Sequence, residues 1–445
     1  MSQVNRENRI KEKVKSKYNE EVQQEVKLLR ERPDFFPELD YFLNLLAEGP
    51  ESSVIAARVG RPVVALLCLQ APLELFHAYG LHPFKVFGGS QVASRLSSPS
   101  LPAVMCPMLR SALGMLQLDG GLEEEAAPEE PKKSPLKRFS FGERKPKPGQ
   151  ALPQRGYAAW VLPTTCDWVV HFMEMMANCG QENSRPVHRL ELPHLKDRDE
   201  SQERWLEEIY GLRKFLNELT GQKKPDRRVL ARSMAIYQRA WNIFNQLTEL
   251  KRTGQVSGPW YVAVSNSFFF DDVEKWIAGV EAVLPKFKER PHSSGPPVYL
   301  AGSPIFFPNL KMVHLLEDAG LKLVMDDLCS SERLFPGAVY FDDPSEHGLM
   351  KALAQRYHQG CLCPTFADND RRINNIIAPA HKSTYKGVVF QVLKGCHPFD
   401  LESMTLERQL RDEGLKFIKL ETDYTSEDSQ NLLTRLEAYR STLEG

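Results

Sequence analysis

Short apolar segments alternate with helical segments in two separate parts of this chain. The segments that have the character of buried strands are Val63–Leu67, Phe84–Phe87, Tyr157–Leu162, Val298–Ala301, Leu321–Met325, Val388–Leu393 and Phe417–Leu420. Such alternation is typical of parallel sheets that are covered by helices on both faces. The pattern therefore predicts an α/β fold, with one sheet domain on each side of a mainly helical stretch.

This pattern divides the 445 residues into four parts. Residues 1–55 are predicted to form an N-terminal helical extension, because apolar residues recur every four positions in its first 30 residues. Residues 56–195 are predicted to form the first α/β domain, residues 196–296 a mainly helical region, and residues 297–445 the second α/β domain. Residues 120–150 combine five prolines with an acidic block and a basic block, so we expect a disordered surface insertion there.

Charge and hydropathy restrict the partners and the cell compartment that we expect for the protein. Lys and Arg number 57 against 58 for Asp and Glu, which is not the charge balance of a protein held to nucleic acid by phosphate contacts. The longest apolar run, about Val63–Leu69, is far shorter than the roughly 20 residues of a membrane span. The N-terminus lacks the apolar stretch of a secretory signal. We therefore expect a cytoplasmic protein with reduced thiols and with neither nucleic acid nor membrane as partner.

The sequence lacks the motifs of several common enzyme classes. It contains no Gly-x-x-x-x-Gly-Lys-[Ser/Thr] loop, no Gly-x-Gly-x-x-Gly, no Gly-x-Ser-x-Gly and no His-Glu-x-x-His. An ATPase, a Rossmann dehydrogenase, a serine hydrolase and a zinc protease are therefore disfavoured.

The cysteines occupy a recurring position. Cys68, Cys166, Cys329 and Cys396 lie at or just after the end of a predicted strand. In open α/β sheets, ligands gather at the carboxyl ends of the strands, so these thiols can converge although they are far apart in sequence. Three further cysteines stand in related contexts: Cys106 in Cys-Pro-Met-Leu-Arg, and Cys361 and Cys363 in Gly-Cys-Leu-Cys-Pro.

Two interpretations of these thiols compete. Free cysteine is among the most buried residue types and often only fills space, which is how we interpret Cys179 in Ala-Asn-Cys-Gly. Thiolates are also soft ligands for zinc, Cu(I) and iron–sulfur clusters. A zinc site would normally show Cys-x-x-Cys or Cys/His pairs, and Cys361-Leu-Cys363 is spaced too tightly for that. A dispersed set of more than four thiolates favours an iron–sulfur cluster.

Several motifs around these cysteines are similar to those of one family. Cys68-Leu-Gln-Ala-Pro-Leu-Glu74, Cys106-Pro-Met-Leu-Arg-Ser-Ala-Leu-Gly114, Thr164-Thr-Cys-Asp167, Asp326-Asp-Leu-Cys329, Gly360-Cys-Leu-Cys363, Cys396-His397 and Glu421-Thr-Asp-Tyr424 carry the likeness. Together they resemble the 2-hydroxyacyl-CoA dehydratase D-component and benzoyl-CoA reductase family, from about Arg61 to the C-terminus, and within it the double-cubane cluster proteins. Gly302-Ser303-Pro304 departs from the Gly-Cys-Pro that is frequent in the family.

The resemblance implies two similar parallel-sheet domains of the flavodoxin or Rossmann kind that face a central cleft. It implies a double-cubane [8Fe-9S] cluster bound by Cys68, Cys106, Cys166, Cys329, Cys396 and Cys363, with Cys361 as the alternative to Cys363. The function implied is a low-potential reductase that takes electrons from an ATP-hydrolysing iron–sulfur activator under anaerobic conditions and reduces a small substrate. A homodimer is implied, or a heterodimer with a related subunit.

Other interpretations stay open at this point. The alternative within the same family is a subunit of a 2-hydroxyacyl-CoA dehydratase or benzoyl-CoA reductase that carries a [4Fe-4S] cluster. A non-enzymatic binding or scaffold protein, with cysteines as core filler, belongs to another class altogether.

Two residues are candidates for catalysis. His397 follows a candidate ligand and is suited to proton delivery or to a hydrogen bond with a cluster sulfur. Glu74 lies six residues after Cys68. The alternatives are a structural carboxylate at a helix start for Glu74 and a helix-capping or solvent-facing side chain for His397.

Excision of Leu122–Gln150, with the ends joined by a short Gly/Ser linker, is expected to leave the melting temperature and the cluster content nearly unchanged. The reason is that a segment rich in proline and in blocks of like charge is solvated rather than packed. Calorimetry and iron analysis of the full-length and shortened proteins check this. A loss of many degrees, or of most of the iron, would show that the segment packs against the fold.

Overall fold

The computed structural model describes residues 3–86, 88–97, 101–102, 104–119, 156–178, 185–222, 225–367, 369–382 and 384–445. The insertion predicted at residues 120–150 and the predicted filler Cys179 lie outside these residues.

The N-terminal part is helical. It consists of α1 (Gln3–Arg30), α2 (Asp40–Ala47) and α3 (Ser52–Val59). The helix predicted over residues 3–30 is confirmed, and Tyr18, Val22 and Val26 of its apolar face are buried against the rest of the chain. The extension is therefore part of the packed body.

The first sheet has four parallel strands. They are β1 (Val63–Leu66), β2 (His82–Lys85), β3 (Ala159–Pro163) and β4 (Val187–Leu190), in the order β2-β1-β3-β4. The helices of this part are α4 (Leu73–Ala78), α5 (Gln91–Ser97), α6 (Pro107–Leu118) and α7 (Asp167–Asn178). The strands β1 and β3 are buried along their whole length, which explains why they consist almost entirely of apolar residues.

Four helices follow the first sheet. They are α8 (Asp199–Thr220), α9 (Arg227–Thr253), α10 (Gly258–Asn266) and α11 (Val273–Lys288). Their side chains Trp205, Trp260 and Trp276 are fully buried, and one continuous apolar core joins them to the N-terminal helices and to both sheets. No helix within the described ranges has the length and apolar character needed to cross a bilayer.

The second sheet repeats the topology of the first. Its strands are β5 (Pro297–Gly302), β6 (Lys322–Asp326), β7 (Gly387–Leu393) and β8 (Lys416–Thr422), in the order β6-β5-β7-β8. Its helices are α12 (Lys311–Asp318), α13 (Glu346–Gln359), α14 (Asp370–Ala380), α15 (His397–Asp412) and α16 (Ser429–Glu444). In both sheets the first strand is central and the second pairs on one side of it, while the third and fourth extend the other side. The predicted α/β fold with two similar parallel-sheet domains is confirmed.

Helix α1 contacts both sheet domains. The Glu21 carboxylate accepts a hydrogen bond from the backbone N–H of Gln91, 2.8 Å away, at the start of α5. One turn later along α1, Glu25 Oε1 lies 2.7 Å from His314 Nε2 on α12. The extension therefore bridges the two halves of the molecule.

Gly395 permits a second close contact between the halves. Its φ of +77° lies in the left-handed region, and a Cβ at this position would stand 2.2 Å from the carbonyl oxygen of Val104. Val104 lies two residues before Cys106, and Gly395 directly precedes Cys396. The absence of a side chain therefore lets these two cysteine-bearing loops approach.

Substitution of Gly395 by Ala is expected to destabilise the protein by more than the about 1–2 kcal/mol of a left-handed alanine, because the methyl group also meets a backbone carbonyl. Gly414→Ala is the matched control, since Gly414 also has a positive φ (+71°) but open space around its Cβ position. Urea unfolding of both variants checks this. Equal losses of stability would contradict the close approach.

Candidate functional site

Four cysteines follow strands at the carboxyl edges of the two sheets. Cys68 lies after β1, Cys166 after β3, Cys329 after β6 and Cys396 after β7. The strands β1 and β3 are neighbours at the point where the strand order reverses, and loops that leave such a point diverge and open a crevice. The sheet topology therefore delivers these thiols to one side of each domain.

The other three described cysteines lie at helix ends. Cys106 directly precedes α6, while Cys361 and Cys363 lie between α13 and α14. These loops place the three thiols beside the strand-end cysteines.

One cavity of about 80 Å³ is lined by all seven cysteines that the structure describes. Cys68, Cys106 and Cys166 come from the first half of the chain, and Cys329, Cys361, Cys363 and Cys396 come from the second. Much of the remaining lining is apolar and includes Leu69, Met108, Val169, Leu393 and Phe399. We call this space the cysteine cavity.

Hydrogen bonds join the two halves around the cysteine cavity. Gln70 Nε2 donates to the sulfur of Cys361 over 3.4 Å, and Trp168 Nε1 donates to the carbonyl of Gly395 over 2.9 Å. The hydroxyl of Thr365 donates to the carbonyl of Thr165. The cavity is therefore an interface between the domains, and its shape depends on their docking.

Three thiols stand at the N-termini of helices. Cys106 and Cys396 are the N-cap residues of α6 and α15, and Cys166 directly precedes α7. Free N–H groups and the helix dipole at such positions favour a negative sulfur. Cys106 shows the effect of such surroundings: a hydrogen bond from Cys396 and amide donation from Met108 lower the pKa of its thiol despite burial.

Burial acts in the opposite direction on most of the other thiols. It raises the pKa of Cys166 to about 11 and that of Cys363 to about 12, and it also raises the pKa values of Cys68 and Cys361. The hydrogen bond to Cys106, together with burial, raises the pKa of Cys396. Metal binding here must therefore displace thiol protons.

Cys68 has an unusual backbone. Its φ of +59° is the one positive value of a non-glycine residue among the described positions. Its Sγ lies 3.3 Å from the hydroxyl oxygen of Thr165. Such strain in a cysteine at the wall of a cavity is typical of functional sites.

Three cations that were not predicted from the sequence bind backbone carbonyls of the cysteine-bearing loops. Lys85 Nζ donates to the carbonyl of Cys329 over 3.1 Å, Lys196 donates to the carbonyl of Cys361, and Arg333 donates to the carbonyl of Leu362. Burial lowers the pKa of Lys85 and also that of Lys196, the latter to about 8. Lys85 lies on β2, Lys196 between β4 and α8, and Arg333 after β6, so no sequence motif with a fixed spacing identifies them.

Ser303 occupies the position of the second sheet that corresponds to Cys68. It follows β5, which is the central strand of its sheet as β1 is of the first. Its side chain is fully buried, accepts a hydrogen bond from the N–H of Leu393 over 3.0 Å, and hydrogen-bonds the thiol of Cys396. It therefore supports one of the candidate ligands.

Glu74 is fully buried, and it is not among the residues that line the cysteine cavity. Its carboxylate pairs with Arg356 and accepts a hydrogen bond from the hydroxyl of Tyr357 over 2.8 Å. Glu74 belongs to α4 and both partners belong to α13. The contact therefore joins the two halves.

His397 lies at the first position of α15 and is exposed. Its ring centroid lies 5.8 Å from that of Trp168. Its neighbours Cys396 and Pro398 both line the cavity. The structure thus brings His397 to the rim of the site.

The cysteine sulfurs are spread around the cavity rather than gathered about one point. Within the described ranges, no group of three or more His, Cys, Asp or Glu side chains has the arrangement needed to hold one metal ion. Seven soft sulfur donors around one apolar space do not suit a single zinc ion, which takes four ligands in a tetrahedron. They suit a group with several metal atoms, because such a group presents its coordination positions at separate corners.

Replacement of Glu74 by Gln is expected to cost about 3–5 kcal/mol of unfolding free energy, because it leaves Arg356 buried without a carboxylate. The double variant Glu74→Gln/Arg356→Met should recover much of this loss, since no charge then stays unpaired. Arg239→Met, which breaks an exposed ion pair with Glu281, is the control and should leave stability nearly unchanged. Urea unfolding measures all three. A Glu74→Gln protein of wild-type stability would contradict the structural role.

Comparison with known proteins gives two informative relatives. The chain is 25% identical over 391 residues to the putative dehydratase subunit YjiM of Escherichia coli (strain K12), covering 85% of this chain and 91% of that protein. It is 20% identical over 232 residues to the (R)-phenyllactyl-CoA dehydratase beta subunit of Clostridium sporogenes, covering 51% of this chain and 60% of that protein. The model of the family 2-hydroxyglutaryl-CoA dehydratase, D-component matches residues 68–443, a span that begins at the first cysteine of the cavity, and the chain belongs to this family.

Proposed function

We propose that this chain binds an iron–sulfur cluster of the double-cubane type in the cysteine cavity and acts as a low-potential reductase of a small substrate. The single observation that carries the proposal is the convergence of seven thiols from both halves on one apolar cavity. A [4Fe-4S] cluster needs four cysteines, so the cavity offers more thiols than one such cluster binds.

The proposed ligands are Cys68, Cys106, Cys166, Cys329 and Cys396, with Cys363 or Cys361 as the sixth. Cys106, Cys166 and Cys396 accept or neighbour helix N-terminal amides, which stabilise a thiolate. The cluster would supply low-potential electrons at a position shielded from bulk water.

The residues around the proposed ligands have separate tasks. Leu69, Met108 and Phe399 keep the lining apolar, which excludes water and strengthens the electrostatic interactions inside. We assign proton delivery to His397, because it is exposed to water and directly follows a proposed ligand. For Glu74 we propose a positioning role through α13 rather than contact with substrate.

The proposed partner is an ATP-hydrolysing iron–sulfur activator. The sequence contains no phosphate-binding loop, so ATP hydrolysis is assigned to the partner. We propose that the chain works as a dimer, either with a second copy or with a related subunit, in the cytoplasm of cells that live without oxygen.

A second candidate function is a subunit of a 2-hydroxyacyl-CoA dehydratase. The observation that favours it is the likeness to a dehydratase beta subunit and to a putative dehydratase subunit. This candidate requires one [4Fe-4S] cluster in the chain and leaves some of the cavity thiols without iron.

Anaerobically purified protein is expected to carry about eight iron atoms per chain, at four per cubane. About four would support the dehydratase subunit instead, and none after reconstitution would contradict both candidates. Iron and acid-labile sulfide are measured together with the EPR spectrum of the reduced protein.

Cys166→Ala and Cys396→Ala should each lose most of the iron, because each removes a thiolate from a different half. Cys179→Ala is the matched control. It removes the one cysteine of the eight in the sequence that is not a candidate ligand and that we interpret as filler, so the variant should keep the wild-type iron content.

A further inference from the structure

Two buried lysines end at the cysteine-bearing loops. Only 5% of the surface of Lys85 and 8% of that of Lys196 are exposed. The ammonium of Lys196 contacts the carbonyl of Cys361 and lies 3.7 Å from the centroid of the Phe366 ring. The ammonium of Lys85 contacts the carbonyl of Cys329 and lies 5.2 Å from the centroid of the Phe306 ring. Both charges are thus held in largely apolar surroundings next to the proposed ligands.

The placement of Lys196 is costly without negative charge nearby. A buried ammonium loses its hydration, and a neutral carbonyl or an aromatic face compensates only part of that loss. The thiols of Cys361 and Cys363 are neighbouring groups of Lys196, and whichever of them binds metal becomes anionic. The charge of Lys196 is therefore best balanced when the cavity carries thiolate ligands and a negative cluster.

Lys196 also fixes the loop that carries these thiols. Its ammonium binds the carbonyl of Cys361, while the guanidinium of Arg333 binds the next carbonyl, that of Leu362. Arg333 is itself anchored, since it donates to the carbonyl of Asp327 after β6. The Cys361–Cys363 loop is thus held by two cations on consecutive carbonyls.

We propose that Lys196 and Lys85 are positioning residues whose fixed charges raise the reduction potential of the bound cluster. The inference rests on the proposed function and adds the residues that regulate it. When a low-potential donor gives one electron to the cluster, the donor is oxidised, the cluster becomes more negative and no bond is broken. A positive charge in a poorly screened site stabilises that reduced form.

The test uses holoprotein prepared without oxygen and compares it with Lys196→Gln and Lys196→Arg. Glutamine keeps a donor for the Cys361 carbonyl but removes the charge, whereas arginine keeps the charge. Lys394→Met is the matched control, since Lys394 lies two residues before Cys396 but has 54% of its side chain exposed. Iron content is measured first, and a redox titration followed by EPR then gives the midpoint potential.

We expect all four proteins to contain equal iron. Lys196→Gln should shift the reduction equilibrium at least tenfold towards the oxidised form, about 59 mV for a one-electron couple. Lys196→Arg should titrate close to the wild type. Lys394→Met should do so as well, because water and salt screen an exposed charge. Lys85→Gln is measured in the same way and should shift in the same direction.

An unchanged potential in Lys196→Gln and Lys85→Gln at full iron content would overturn the inference, as would an equal shift in Lys394→Met. If Lys196→Gln alone fails to assemble the cluster, the potential of Lys85→Gln decides. Loss of the cluster from both glutamine variants would overturn the inference too, because the lysines would then only hold the loops. Wild-type protein without iron would instead contradict the proposed function.

Discussion

Parallel strands end at the same edge of a sheet, and this constraint organises the molecule. Each sheet delivers its strand-to-helix loops to one side, and the two sheets have the same strand order. The loops after β1, β3, β6 and β7 therefore bring four thiols to a common space, and three more arrive from loops beside helices. Neither sheet alone lines the cavity with all seven, so the geometry of the site is decided by how the two domains dock.

Docking depends on polar contacts within an otherwise apolar interface. The buried pair of Glu74 with Arg356 joins α4 to α13, and α1 contacts both domains through Glu21 and Glu25. A buried ion pair adds little net stability over an apolar contact of equal volume, but it strongly penalises any arrangement that separates its charges. Such contacts select one relative orientation of the sheets, and the position of each thiol requires that orientation.

Much of the fold was predictable because buried parallel strands are continuous apolar runs. The predicted Val388–Leu393 is β7 almost to the residue, whereas β4 was missed because it is four residues long and includes His188 and Arg189, so it is not a continuous apolar run. Helix α15 begins at His397, because Pro398 in its first turn needs no amide partner. The candidate site was predictable because its cysteines follow predicted strands. Lys196 could not be predicted as part of it, because its contact with Cys361 exists only after the domains have docked.

The left-handed backbone of Cys68 lowers the stability of the fold, but it places a thiol at the wall of the cysteine cavity. At a φ of +59° a side chain costs about 1–2 kcal/mol that glycine would not incur. A glycine would therefore make a more stable loop, but one without sulfur, so a chain optimised only for folding would not keep cysteine here. If Cys68 is a cluster ligand, as proposed, selection for a stable protein and selection for activity favour different residues at this position.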